Sequence, residues 1–199
     1  MSTLSMPLVV KVGGSLFDRT DAVIGAIRAT GRAVLLIPGG GRFADFVRRL
    51  NLSDTAGHWM AIAAMEQYGW YLASHGIPAT AVIAHPAMVT VLLPYCALRD
   101  LDPLPHSWDV TSDTIAAWVA ARLGTELVLL KSVDGIHRHR TLIERVDAPC
   151  PCDEVDPTLI PFVLEHGVRT TVVNGRIDER IRDALAGLPV RGTVIDTRF

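Results

Sequence analysis

Cysteine is scarce, with three residues in 199. Three thiols cannot build a dense disulfide framework, so a reducing compartment, the cytoplasm, is expected. Positive charge is not in excess. The 19 Lys+Arg stand against 21 Asp+Glu, for a net charge of -2, which argues against the basic footprint of a nucleic-acid-binding domain. Long hydrophobic runs are missing. Val34 to Pro38 and Leu127 to Leu130 fall far short of the roughly 20 residues that span a bilayer. Met1 to Pro7 carry neither the basic run nor the apolar stretch of a signal peptide. Neither a membrane nor a nucleic acid is therefore expected as a partner. Two phosphate-binding signatures are absent too. No glycine-rich loop continues into Gly-Lys-Ser/Thr, which argues against a P-loop NTPase, and no Gly-x-Gly-x-x-Gly argues for a Rossmann dehydrogenase.

What is present is apolar sequence in short pieces. Hydrophobic residues make up 49% of the chain, too many for intrinsic disorder and enough for the core of one domain over residues 1–199. β-rich runs alternate with longer helical patterns. Strands are predicted at Leu8 to Val12, Ala33 to Ile37, Ala79 to Ile83, Glu126 to Leu130, Thr170 to Val173 and Gly192 to Ile195. Helices are predicted from Thr20 and Asp21, which offer a cap, to about Thr30, and over Arg42 to Leu50 and Asp54 to Ser74. Further helices follow over Ser112 to Ala121, Pro157 to Glu165 and Asp178 to Ala186. The helix from Asp54 is apolar on most faces, which predicts deep burial or a subunit contact. Pro86 to Pro105 reads as irregular, and Asp134 to Asp156 as a polar hairpin or loop excursion. This alternation predicts an α/β fold, a three-layer αβα sandwich around a mainly parallel sheet. In such sheets the ligand lies beyond the carboxyl ends of the strands, and the glycine-rich turns fall there.

Four clusters at those strand ends carry chemistry. Lys11-Val12-Gly13-Gly14-Ser15 puts a cation on a strand end and two glycines where backbone can approach a phosphate. A lysine there can neutralise charge on a transferring phosphoryl group. Pro38-Gly39-Gly40-Gly41-Arg42 places three glycines before a helix, whose N-terminus attracts anions. Two such loops suit a donor phosphate and an acceptor phosphate. Trp108-Asp109-Val110-Thr111-Ser112-Asp113 opens a helix, either as N-capping residues or with Asp113 orienting lysines or a metal. Lys131-Ser132-Val133-Asp134-Gly135 repeats the pattern of cation, acid and glycine after a strand.

In this order the clusters resemble the amino acid kinase superfamily, which includes acetylglutamate, aspartate, uridylate and isopentenyl phosphate kinases. Val172-Val173-Asn174-Gly175-Arg176, Ala116-Ala117 and Gly192-Thr193 extend the resemblance along nearly the whole chain. The resemblance implies in-line transfer of the ATP γ-phosphoryl group, usually with Mg²⁺. It implies Lys11, Asp113 and Lys131 as catalytic residues, with Asp113 organising the lysines. Lys11, Gly13, Gly14, Ser15, Val133, Asp134 and Gly135 would bind ATP, and Gly39, Gly40 and Gly41 the acceptor. No resident metal ligand is implied. The uridylate kinase pattern has a lysine directly before Val-Asp-Gly, where this chain has Ser132. The segment after Gly135 is compressed, and acetylglutamate and aspartate kinases need larger acceptor elements.

Compact size, Gly57-His58-Trp59-Met60-Ala61-Ile62 and Trp108 to Asp113 resemble one branch of that superfamily. Its members phosphorylate [5-(aminomethyl)furan-3-yl]methyl phosphate in methanofuran biosynthesis. On that resemblance Arg42, His58, Trp108 and Thr111 join the acceptor site, with Trp59 or Trp108 stacking on the furan. Other acceptors on the same fold are UMP, isopentenyl phosphate or an amino-acid carboxylate. A nucleotide- or oxyanion-binding storage or sensor protein is the non-catalytic alternative. The family and the apolar helix from Asp54 imply a homo-oligomer. His137, His139, Cys150 and Cys152 are zinc-ligand types, but their spacing matches no common structural pattern, so ordinary surface residues are expected.

Overall fold

The computed structural model describes residues 6–198; residues 1–5 of the stretch searched for a leader lie outside it. The chain order begins β1 (Leu8–Val12), α1 (Thr20–Ala29), β2 (Val34–Pro38), α2 (Gly41–Arg49), α3 (Asp54–Ala73), β3 (Ala79–Thr80) and β4 (Thr90–Leu92). It continues through α4 (Pro94–Leu101), α5 (Ser112–Leu123), β5 (Leu127–Lys131), β6 (Ile136–Arg138), β7 (Thr141–Ile143) and β8 (Arg145–Val146). It ends with α6 (Leu159–Glu165), β9 (Thr170–Asn174), α7 (Asp178–Ala186) and β10 (Gly192–Ile195). One sheet of eight strands runs in the order β3-β4-β2-β1-β5-β9-β10-β8. Every pairing in it is parallel except that of β9 with β10. The carboxyl ends of β1, β2 and β5 therefore share one edge.

Side-chain alternation along the strands builds the layers. Val9, Ile37, Leu127 and Leu129 join one buried cluster with Ile115, Val119 and Ala120 of α5 and Leu159 and Val163 of α6. Val10, Leu36, Val128 and Leu130 join another, with Val23 and Ile27 of α1 and Ile181 and Leu185 of α7. The sheet lies between helices on both faces, the expected αβα sandwich. The alternation also decides the site. Lys11 has the parity of Val9, and Lys131 that of Leu129, so both lysines leave the sheet on the α5 face. Leu129 is the partner of Lys11 across β1 and β5, which puts Lys131 two residues further along that same face.

Local predictions held unevenly. The strand from Ala79 stops at Thr80, whose hydroxyl accepts the Val82 N–H at 3.0 Å, a local bond that competes with the ladder. Pro86 to Pro105 is ordered rather than irregular, holding β4 and α4. Pro94 sits in the first turn of α4, where a missing N–H costs nothing, and Asp102 ends the helix at φ 40°. Thr20 does not cap α1; it is the first helical residue, and its hydroxyl donates to the Phe17 carbonyl at 2.9 Å. A 3₁₀ helix, Gly14–Arg19, unpredicted from the sequence, precedes it. The polar excursion contains the hairpin β6–β7, and its end supplies the edge strand β8. α3 buries Ile62, Met65, Tyr68 and Leu72 but leaves Met60 and Trp70 exposed. Among the described residues no helix is long and apolar enough to cross a membrane.

Candidate active site

Lys11 and Lys131 converge on one carboxylate. Lys11 Nζ lies 2.7 Å from Asp113 Oδ1, and Lys131 Nζ lies 2.5 Å from Oδ2. Asp113 stands in the first turn of α5, which packs against β1 through small residues, Ala116, Ala117 and Ala120, all fully buried. Burial alone would raise the Asp113 carboxyl, but the two ammonium groups outweigh it and hold it at about 2. Burial, and then the nearby charge of Lys11, pull Lys131 below the ordinary lysine value, against the opposing pull of Asp113. Two ammonium groups converge here on one carboxylate, with the buried Asp156 as a further negative charge acting on Lys131. Such a site favours an incoming anion.

The two glycine loops cross directly above this group. A Cβ on Gly14 would lie 2.1 Å from the Cα of Gly41, and one on Gly39 would lie 2.9 Å from the Gly14 nitrogen and 3.4 Å from Lys11 Cε. Only glycine permits the loops to touch. Gly13 and Gly39 spend their N–H groups on Leu130 and Val12 carbonyls at 2.9 Å each, so they extend the sheet. The N–H groups that follow open the 3₁₀ helix and α2, where a helix start leaves donors without intrahelical partners.

In front of the loops lies a cavity of about 660 Å³. Ser15, Gly40, Gly41, Arg42, His58, Trp108 and Thr111 all line it. The sequence-predicted acceptor residues are thus gathered around one cavity, with the exception of Gly39. Arg42 lies over the Phe17 ring, 5.8 Å from its centroid. Trp108 is clamped between the Arg48 guanidinium, 4.8 Å from its ring centroid, and Gly57. His58 stacks on His106 with ring centroids 4.3 Å apart. Burial, then His106, push the His58 imidazole down, against the pull of Asp102, so it favours the neutral form.

Val133, Asp134 and Gly135 stand apart from that cavity. Asp134 accepts bonds from Asn174 at 2.9 Å, Arg180 at 2.6 Å and Arg191 at 3.1 Å. It ties the turn after β5 to β9, α7 and the start of β10. Gly135 has φ 153°, and a Cβ there would fall 2.6 Å from the Thr193 hydroxyl.

Two features escaped the sequence reading. The first is Asp156, whose buried carboxylate accepts the Thr111 N–H, the Thr111 hydroxyl and the Thr114 N–H on Oδ2, at 3.0, 2.9 and 3.0 Å. Its Oδ1 accepts the Thr114 hydroxyl at 2.5 Å and the Leu159 N–H at 3.0 Å. It caps α5 from more than forty residues away and α6 from close by, so neither Ser112 nor Thr111 supplies a side-chain cap. The Asp156 N–H also donates to Asp113 Oδ2 at 3.3 Å. The second is the trio His58, Asp102 and His106. Among the described residues it is the one group of three ligand-type side chains whose ligand atoms fall within 4.8 Å of one another. His106 is satisfied there without a metal, with Nε2 2.8 Å from Asp102 and Nδ1 3.1 Å from Thr55. His137, His139, Cys150 and Cys152 do not converge; His137 pairs with Glu154 at 3.1 Å.

A buried two-lysine, one-carboxylate group beneath crossed glycine loops, at the strand ends of a mainly parallel α/β sheet, is an arrangement suited to phosphoryl transfer. Comparison with known proteins gives the family. Residues 6–151 match the model of the amino acid kinase family, and the chain belongs to that family. It is 30% identical over 201 residues to the [5-(aminomethyl)furan-3-yl]methyl phosphate kinase of Methanocaldococcus jannaschii, covering 90% of this chain and 93% of that protein. The fold matches the crystal structure of uridylate kinase from Archaeoglobus fulgidus with a TM-score of 0.72 at 19% identity, covering 95% of this chain and 99% of that one. It also matches an isopentenyl phosphate kinase structure with a TM-score of 0.65 at 18% identity, covering 95% and 100%. The reaction class is ATP-dependent phosphoryl transfer.

Proposed function

We propose that this kinase converts [5-(aminomethyl)furan-3-yl]methyl phosphate to its diphosphate. The observation that carries the reading is the near full-length similarity to the archaeal kinase of that acceptor. The cavity supports it, since Trp108 and the apolar Ile62, Met65 and Ile115 line a space suited to a flat ring beside the glycine loops. An acceptor phosphate oxygen attacks the γ-phosphorus of ATP in line; the new O–P bond forms as the bond to the β-phosphate oxygen breaks, and ADP leaves with the electron pair. The acceptor is already an anion, so no base is required.

In this reading Lys11 and Lys131 neutralise charge that builds on the transferring group, and Asp113 fixes both ammonium groups. Gly14 and Ser15 face the ATP phosphates. Gly40, Gly41 and Arg42 face the acceptor phosphate, where a guanidinium suits phosphate geometry. Val133, Asp134 and Gly135 border the nucleotide. Mg²⁺ would be carried on the ATP phosphates, because lysines occupy both oxygens of Asp113; bound there it would neutralise phosphate charge. The three free cysteines fit a reducing cytoplasm, and exposed Met60 and Trp70 on α3 fit a homo-oligomer.

The test is turnover with ATP and Mg²⁺ against the furan phosphate, UMP, isopentenyl phosphate, acetylglutamate and aspartate, with products identified by mass spectrometry. The furan diphosphate is the expected product, and a folded Lys11→Ala variant loses turnover. A different phosphorylated product with no furan diphosphate, or wild-type rates in Lys11→Ala, would overturn the assignment.

A further inference from the structure

The charges around the cavity do not cancel evenly. Its lining includes three carboxylates, Asp18, Asp45 and Asp54, and three guanidinium groups, Arg42, Arg48 and Arg176. Four of these six neutralise one another. Arg176 holds Asp18 at 2.9 Å, and Arg48 lies 3.6 Å from Asp45. Among the described residues Arg42 has no acidic partner and Asp54 has no basic one. Arg42 belongs to the glycine-loop end, in the first turn of α2. Asp54 belongs to the first turn of α3, four residues before His58 on the same helix face. One unpaired cation and one unpaired anion thus border the same space, with Ile62, Met65, Ile115 and Trp108 also on its wall.

We infer that this kinase selects its acceptor by a primary ammonium group, and that Asp54 is the specificity-determining carboxylate that pairs with it. The inference rests on the proposed phosphate-monoester acceptor and adds the residue that reads its other end. A zwitterion with phosphate at one end and ammonium at the other answers both unpaired charges at once. A plain phosphate monoester answers only Arg42. His58, held toward its neutral form, does not compete with the ammonium for Asp54.

The test compares two acceptors on wild type, Asp54→Asn and Asp54→Glu. One acceptor is [5-(aminomethyl)furan-3-yl]methyl phosphate; the other carries a methyl group in place of the aminomethyl. Asp54 is exposed, so its variants stay folded, with only the small loss expected when a charge leaves the first turn of a helix. Wild type favours the amine-bearing acceptor in kcat/KM by about tenfold or more, the range of a hydrogen bond to a charged group. In Asp54→Asn the preference collapses toward unity through a raised KM for the amine-bearing acceptor alone, and Asp54→Glu restores part of it. Equal use of both acceptors by wild type, or an equal loss on both in Asp54→Asn, overturns the inference. Phosphorylation of neither furan by wild type overturns the proposed function itself, and the inference with it.

Discussion

Replacing Asp156 with alanine removes one side chain, unpairs the start of α5 and weakens that of α6. The Thr111 and Thr114 N–H groups lose their carboxylate acceptor, as do the Thr111 and Thr114 hydroxyls, whereas the Leu159 N–H keeps the Asp156 backbone carbonyl at 3.1 Å. The hydroxyls can rotate toward other oxygens; the N–H groups are fixed by the backbone. Loss of a helix cap costs about 1 kcal/mol, and this carboxylate caps two helices. Each buried N–H left without a partner costs about 1–3 kcal/mol. Thr114 is wholly buried and Asp156 is 7% exposed, so water replaces only part of what is lost. Asp156→Ala is therefore expected to cost about 3–5 kcal/mol. In a chain of this length each kcal/mol shifts the midpoint by about 2–4 °C, giving a fall in Tm on the order of 10 °C. Asp156→Asn keeps the shape and one acceptor oxygen but turns an NH₂ toward donors, and should cost roughly half as much. Because Asp113 adjoins Thr114 and takes the Asp156 N–H, kcat should fall more than about tenfold in Asp156→Ala, measured well below its Tm. Thermal unfolding followed by circular dichroism checks the first number and steady-state kinetics the second. A midpoint within about 2 °C of wild type would refute the claim that this carboxylate holds the start of α5.

The remaining expectations concern the loops and the lysines. Gly14→Ala forces a methyl to within 2.1 Å of the Gly41 backbone; the loops must part, and kcat/KM should fall by about two orders of magnitude, read by initial rates. Gly25→Ala on the exposed face of α1 meets nothing within 4 Å and should stabilise the fold by about 0.5–1 kcal/mol in urea titration; a destabilised Gly25→Ala would show that α1 packs differently there. Lys131 is shifted below the ordinary 10.5 by burial and by Lys11. Its charge is thus lost at a lower pH than that of a free lysine, and with the role proposed for it the alkaline limb of kcat should lie below pH 10.5. A Lys131→Arg variant, charged throughout, should move that limb upward, and an unmoved limb would assign it to another group.

Parity and glycine placement made much of the site legible. Runs such as Leu8–Val12 and Leu127–Lys131 are apolar on both faces, as buried parallel strands are. A lysine inside such a run has few places to go, so Lys11 stands out from the hydrophobic pattern, whereas Lys131, read as following its strand, is singled out by the family resemblance. The crossed loops are marked by their glycines because no other residue permits the contact of Gly14 with Gly41. Asp156 left no comparable mark. Its partners Thr111 and Thr114 lie 45 and 42 residues away, and a carboxylate before Pro157 reads locally as a turn residue. The local sequence Thr111-Ser112-Asp113 imitates a self-capping helix, and long-range capping leaves Asp113 free to face the lysines instead. α4 was hidden for a different reason. Its flanking prolines signal disruption in composition, yet Pro94 occupies the one helical position that tolerates it.

The charge count connects the buried group to the cavity in front of it. Two ammonium groups share the Asp113 carboxylate, and the buried Asp156 carboxylate acts on Lys131 from further off. Burying a charge is costly, and the downward shift of Lys131, set by burial and then by Lys11 against the pull of Asp113 and Asp156, expresses that cost. A negative group arriving at the loops relieves it, most of all one whose charge grows during reaction. The protein thus holds its cations in place before the substrate comes, with no side-chain rearrangement required at the moment of transfer. Asp113 cannot also serve as a base, since a carboxyl held at about 2 between two cations has little affinity for a proton. The site is suited to an acceptor that brings its own negative charge. A phosphate monoester meets that demand, whereas an alcohol would need a base that neither Asp113 nor the lysines provide.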